Sequence, residues 1–213
     1  WLGLPARASL DEEMLQAYHA PYGEGKEQKF WRDNRFMEET LAPPLRRTCE
    51  LLTKKPELAQ EARELVAFCS RQAEHLVRWR GQVTRNATTV KYLGLDMLIH
   101  ETTARRILVV AELAKLQAER AADAATELKP RLEVVLKELR GLAEDYRAIE
   151  RGFDASIREA GGGRCGTGGW YPYIASGGVI FRAPQGRAEV EKQITYLEEA
   201  LKADRLPADL FAP

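Results

Sequence analysis

The chain of 213 residues carries 32 basic and 32 acidic side chains, giving a formal net charge of zero, and 45% of it is hydrophobic. A chain of this length and composition closes one good-sized core without a disulfide or a metal. Charges of both signs are interspersed, which sets aside the basic stripe of a nucleic-acid binder, and no apolar run approaches the ~18 residues of a membrane span.

In chain order, Ser9 with Asp11 and Glu12 predicts a short helix through about His19, broken by Pro21, Gly23 and Gly25. A helix from about Lys26 carries Phe30, Trp31, Phe36 and Met37 and must end or kink at Pro43-Pro44. A further piece runs from Leu45 to about Lys54. Pro56 suits the first turn of the next helix, whose seam is Leu58, Ala62, Leu65, Cys69, Gln72, Leu76 and Trp79. Gly81 to Arg85 reads as the connection.

The longest stretch runs from Asn86 to about Leu128, with a seam of Val90, Leu93, Met97, His100, Ala104, Ile107, Ala111, Ala114, Ala118 and Ala121. Its alanines would let a neighbouring helix approach closely. Pro130 restarts the chain at a first turn, and the next helix has the cleanest heptad: Leu132, Val135, Leu139, Leu142, Tyr146, Ile149 and Phe153. Two such helices joined by a short turn lie antiparallel.

After Ala160 the pattern changes. Gly161-Gly162-Gly163 ends the helix, and Gly166, Gly168 and Gly169 follow. Residues 170–174 and Val179-Ile180-Phe181 read as the two strands of a β-hairpin that must lie on the bundle, since two strands alone are marginal. A last helix spans about Arg187 to Ala203, and Leu206 to Pro213 form a tail. The expected fold is therefore mainly α, an antiparallel helical bundle (1–160) with a glycine-rich loop, short β-hairpin and C-terminal helix (161–213) packed on it as one compact unit.

The chemistry-bearing residues are few. Cys49, Cys69 and Cys165 are widely spaced, form no C-x-x-C, and read as isolated thiols, with Cys49 and Cys69 as small buried hydrophobes. His100 has Asp96 one turn earlier, an arrangement that can orient an imidazole for acid–base work and equally a polar pair satisfied inside a bundle. No metal site is expected, because the Glu-x-x-His pairs of di-metal bundles are missing: Gln16, Gln72 and Met97 stand three before His19, His75 and His100. The segment 161–169 follows a helix and lacks the G-K-[ST] of a phosphate loop, so no nucleotide cofactor is implied. Arg164, Trp170, Tyr171 and Tyr173 are the candidate ligand-binding residues, for a sugar or an anion, beside the plainer reading of a close-packed turn.

The segments Arg85-Asn86-Ala87-Thr88-Thr89-Val90-Lys91-Tyr92-Leu93 through Arg105-Arg106-Ile107-Leu108, and Leu139-Arg140-Gly141-Leu142-Ala143-Glu144-Asp145-Tyr146-Arg147-Ala148-Ile149, carry a resemblance. Together they resemble the helical region behind the catalytic barrel of bacterial hexosaminidase-like glycoside hydrolases, over roughly residues 57–160. Where that family has a tryptophan-containing stretch and an arginine–asparagine end, this chain reads Glu150-Arg151-Gly152-Phe153. The family's catalytic Asp-Glu pair lies in its barrel, so no catalytic residue carries over.

What the resemblance implies is a non-catalytic accessory or assembly domain, part of a larger bacterial carbohydrate-active protein. The first residue, Trp1, fits a fragment of a longer chain. Its partner would be another protein domain or its own oligomer, across an exposed apolar face, with carbohydrate as a possible ligand. The alternative is a small binding module built on the glycine-rich loop and the Trp170/Tyr173 hairpin. A stand-alone enzyme using Asp96 and His100 is the third reading. A soluble protein is expected, in the bacterial cytoplasm or exported.

Overall fold

The computed structural model describes residues 44–80, 82–83, 87–121, 128–159, 179–203 and 207–212. Five helices run through them: α1 (Leu45–Lys54), α2 (Leu58–Arg80), α3 (Ala87–Ala121), α4 (Leu128–Glu159) and α5 (Val179–Lys202). They form a row in which α2 packs on α3, α3 on α4 and α4 on α5, with α1 also laid against α3.

The ion pairs fix the directions. Arg105 of α3 reaches Asp145 and Glu138 of α4, whereas Glu112 and Glu119, later in α3, meet Arg131 near the start of α4. Numbering rises along one helix as it falls along the other, so the pair is antiparallel. In the same way Arg140 meets Glu198, Arg147 meets Glu191 and Glu150 meets Arg187, which makes α4 and α5 antiparallel. Helices α2 and α3 pack along one another across the short link 81–86. That link reaches at most about 20 Å, too short to return along a helix about 34 Å long, so they too are antiparallel.

The heptad of α4 is buried throughout, from Leu132 and Val135 through Leu139, Leu142, Tyr146 and Ile149 to Phe153. Leu136 and Ala143 are buried beside it, because α4 has α3 on one side and α5 on the other. Pro130 stands in the first turn of α4, where its missing N–H removes no helical bond.

In α3 the expected seam holds at Val90, Met97, Ala104 and Ile107, and then shifts. Leu113 and Leu116 are buried, while Ala111 and Ala114 are half-buried and Ala118 is exposed. The larger leucines withdraw more apolar surface per residue than the alanines, so the helix turns them inward. Between Thr102 and Val110 burial extends almost all round α3. The hydroxyls buried there are satisfied within the helix: Thr102 donates to the Leu98 carbonyl and Thr103 to that of Ile99.

The expected β-hairpin is corrected. Among the described residues there is no strand, and Val179-Ile180-Phe181 form the first turn of α5. The helix expected from about Arg187 begins eight residues earlier, at Val179. Pro184 lies inside α5, exposed, in its second turn, where its missing N–H forfeits one helical hydrogen bond, and its neighbour Ala183 is fully buried. The first expected strand, 170–174, lies outside the described residues, as do both helices expected before residue 43.

Candidate functional site

His100 and Asp96 do meet, but not as an orienting carboxylate and its imidazole. The His100 Nδ1 lies 2.9 Å from the Asp96 backbone carbonyl and 3.7 Å from its Oδ1. A carbonyl only accepts, so Nδ1 carries the proton and donates to the backbone one turn earlier. The same α2–α3 interface holds Cys69, fully buried, whose thiol burial pushes up to about 12, with Glu101 and Asp96 adding to the shift. A thiol held protonated at every physiological pH is not a nucleophile. Ser70 on α2 contacts the Glu101 carboxylate at 3.5 Å. Cys49 is half-buried, and burial, reinforced by Glu50, raises its thiol too. Among the described residues no group of three or more His, Cys, Asp or Glu is placed to hold a metal ion.

Arg164, Trp170, Tyr171 and Tyr173 lie outside the described residues, so the structure leaves that candidate where the sequence put it. No helix of the described residues is long and apolar enough to cross a membrane. The exposed large hydrophobics among them are Val77 on α2 and Val134 on α4. They sit near opposite ends of α3, about 30 Å apart by helix rise, and make no common face.

Two further groups are specialised. Arg106 of α3 is fully buried and its Nη1 donates to the Tyr146 hydroxyl of α4 at 3.2 Å. Burial raises the Tyr146 phenol against the opposing pull of that guanidinium. Arg105, the next residue, lies over Gly141, where a Cβ would stand 2.9 Å from its Nη2. Burial also raises the Asp145 carboxyl that Arg105 pairs with, Arg105 working against the shift.

The most constructed polar arrangement involves the C-terminal segment. Helices α3 and α5 both pack on α4, and residues 207–212 bridge between them. The Gln117 amide of α3 uses both ends: Nε2 donates to the Ala208 carbonyl at 2.9 Å and Oε1 accepts from the Leu210 N–H at 2.6 Å. From α5, Gln193 Nε2 donates to the Leu210 carbonyl at 2.7 Å and the Tyr196 hydroxyl to the Asp209 carbonyl at 2.8 Å. Asp209 pairs with Arg46 of α1 and accepts from the Phe211 N–H at 2.9 Å. The Phe211 N–H, then Arg46, holds its carboxyl below the usual aspartate range. Leu210 and Phe211 are buried, at 3% and 7% exposure, and join the main core.

Sequence reasoning treated 206–213 as a tail. The available signals were the apolar pair Leu210-Phe211 closing a polar stretch, and Gln193 on the buried stripe of Val190 and Leu197. A glutamine on a buried stripe needs a hydrogen-bond partner from outside its own helix. No family model, curated protein or solved structure matches this chain.

Proposed function

We propose that this chain is a non-catalytic helical accessory domain that works through contact with other protein, in a larger carbohydrate-active protein as the resemblance implies. The observation that supports it is the use made of its reactive groups. Arg105, Arg131, Arg140, Arg147 and Arg187 each reach a carboxylate on a facing helix among α3, α4 and α5. The His100 Nδ1 proton is committed to a backbone carbonyl, and Cys69 is sealed in the core. These groups hold helices in register; none is poised towards a substrate.

Among the described residues such a domain offers its partner a shaped helical surface rather than an exposed apolar face, since Val77 and Val134 stand singly there. The intact mass of the protein from its native source tests the reading. A mass well above 24.0 kDa, with the remainder carrying carbohydrate activity, supports it. A mass near 24.0 kDa retires the larger-protein part, and a glycosidase activity abolished by His100→Leu in the isolated chain overturns it outright.

A further inference from the structure

The segment 207–212 is held in the manner of a bound peptide. Its main chain is read by side chains from two helices: Ala208, Asp209 and Leu210 give carbonyls to Gln117, Tyr196 and Gln193, and the Leu210 N–H goes back to Gln117. Main-chain hydrogen bonds from a groove combined with pockets for particular side chains are the physics of extended-peptide recognition. Here the pockets take Leu210 and Phe211, and Arg46 takes the carboxylate of Asp209.

We propose that the groove between α3 and α5 is a peptide-recognition site for an Asp-Leu-Phe segment of a partner protein, which the chain's own residues 207–212 keep closed. The closing segment leaves one donor unused. Arg120, whose charge acts on the Tyr196 hydroxyl, has a buried Nη1 with no hydrogen-bond partner among the described residues. A buried donor without an acceptor is a standing penalty, relieved by a ligand that brings an additional carboxylate. This favours a partner over a second copy of the chain. A second copy brings only the same segment, and exchanging it makes no new contact while each groove already has its own segment at millimolar effective concentration. The inference concerns a different surface from the helix-pairing groups above and stands whether or not the chain belongs to a carbohydrate-active protein.

The probe is a fluorescein-labelled peptide of residues 207–213, Pro-Ala-Asp-Leu-Phe-Ala-Pro, titrated by fluorescence anisotropy into full-length protein. The double variant Leu210→Asp, Phe211→Asp evicts the internal segment. With helicity retained by circular dichroism, it binds the peptide saturably at one to one, and the wild type binds it about a hundredfold more weakly because the segment competes in cis. Adding Gln117→Leu to the double variant lowers the affinity at least about tenfold, since one amide makes two of the main-chain bonds. A folded double variant that binds no better than the wild type, or no better than its Gln117→Leu derivative, overturns the proposal.

Should the double variant fail to fold, the full chain is used with a protease site replacing residues 203–206, cut while folded. Exchange of the freed segment for labelled peptide, seen by native mass spectrometry, supports the site. Unfolding on release, or a segment that never exchanges, makes 207–212 a plain part of the core and overturns it. Wild-type chain that forms a dimer by swapping these segments assigns the groove to a second copy and overturns the partner.

Discussion

A methyl group added at Gly94 meets no atom within 4 Å, whereas one added at Gly152 lands 2.7 Å from Leu95 Cδ1. Both glycines lie inside helices, where replacing glycine by alanine is worth about 1 kcal/mol in backbone entropy. Gly94→Ala is therefore expected to stabilise the protein by about 1 kcal/mol in urea unfolding. At Gly152 the same gain meets about 1–3 kcal/mol of overpacking, so Gly152→Ala destabilises by about 1 kcal/mol. Only the close approach of α3 to α4 tells the two apart, and nothing local to either glycine in the sequence does. The thiols were more legible, because free cysteines favour the interior. In a Cys165→Ser background at pH 8, a disulfide reagent should modify the half-buried Cys49 slowly and reach Cys69 only on unfolding. Prompt labelling of Cys69 would show that α2 lifts off α3.

At the scale of an element, Leu139 and Arg140 are neighbours with opposite weights. Leu139 is fully buried at the centre of the α4 heptad, and Leu139→Ala is expected to remove about 2–5 kcal/mol. Arg140 pairs with Glu198 at 2.7 Å, yet 59% of its side chain is exposed, so Arg140→Ala removes less than about 1 kcal/mol. Chemical denaturation of the two variants checks both. The heptad of α4 was readable because its apolar residues far outsize the polar ones between them and repeat without interruption. In α3, enclosed by α1, α2 and α4, apolar residues occur on several faces, so a single stripe misses Leu113 and Leu116. For α5 the failure was one of local signals: Val-Ile-Phe favours a strand, yet these residues open a helix that carries the fully buried Ala183. The polar pair fared differently, since one-turn spacing brought His100 to Asp96 but could not say that the backbone carbonyl, not the carboxylate, takes the proton.

Over the whole molecule, the C-terminal segment ties together helices that the sequence could only describe one at a time. Its partners Arg46, Gln117, Gln193 and Tyr196 are spread over three helices, and no local spacing links them. Acid should loosen this tie first. The Asp209 carboxyl is depressed by the Phe211 N–H and Arg46, so its contribution is complete above the usual aspartate value and disappears as pH falls through the lower folded value. Asp145 has the opposite sign: burial raises it, so its ionisation burdens the fold as pH rises and is relieved in acid. Hydrogen exchange followed as pH is lowered through and below the usual aspartate value should therefore find the Phe211 amide deprotected before the amides where α3 meets α4, and simultaneous loss of both would contradict a separable tie. The same logic fixes how Gln117 and Gln193 combine. Gln117→Leu strands the Leu210 N–H, while water takes over the exposed Ala208 carbonyl, and Gln193→Leu strands the Leu210 carbonyl, each at about 1–3 kcal/mol. The two side chains never need to touch, yet both act through Leu210. Once either change releases the segment, the other has little left to remove, so the double variant should fall short of the sum by more than about 0.5 kcal/mol. Strict additivity in a double-mutant cycle would mean that each glutamine stabilises its own helix, and that residues 207–212 do not dock as one unit.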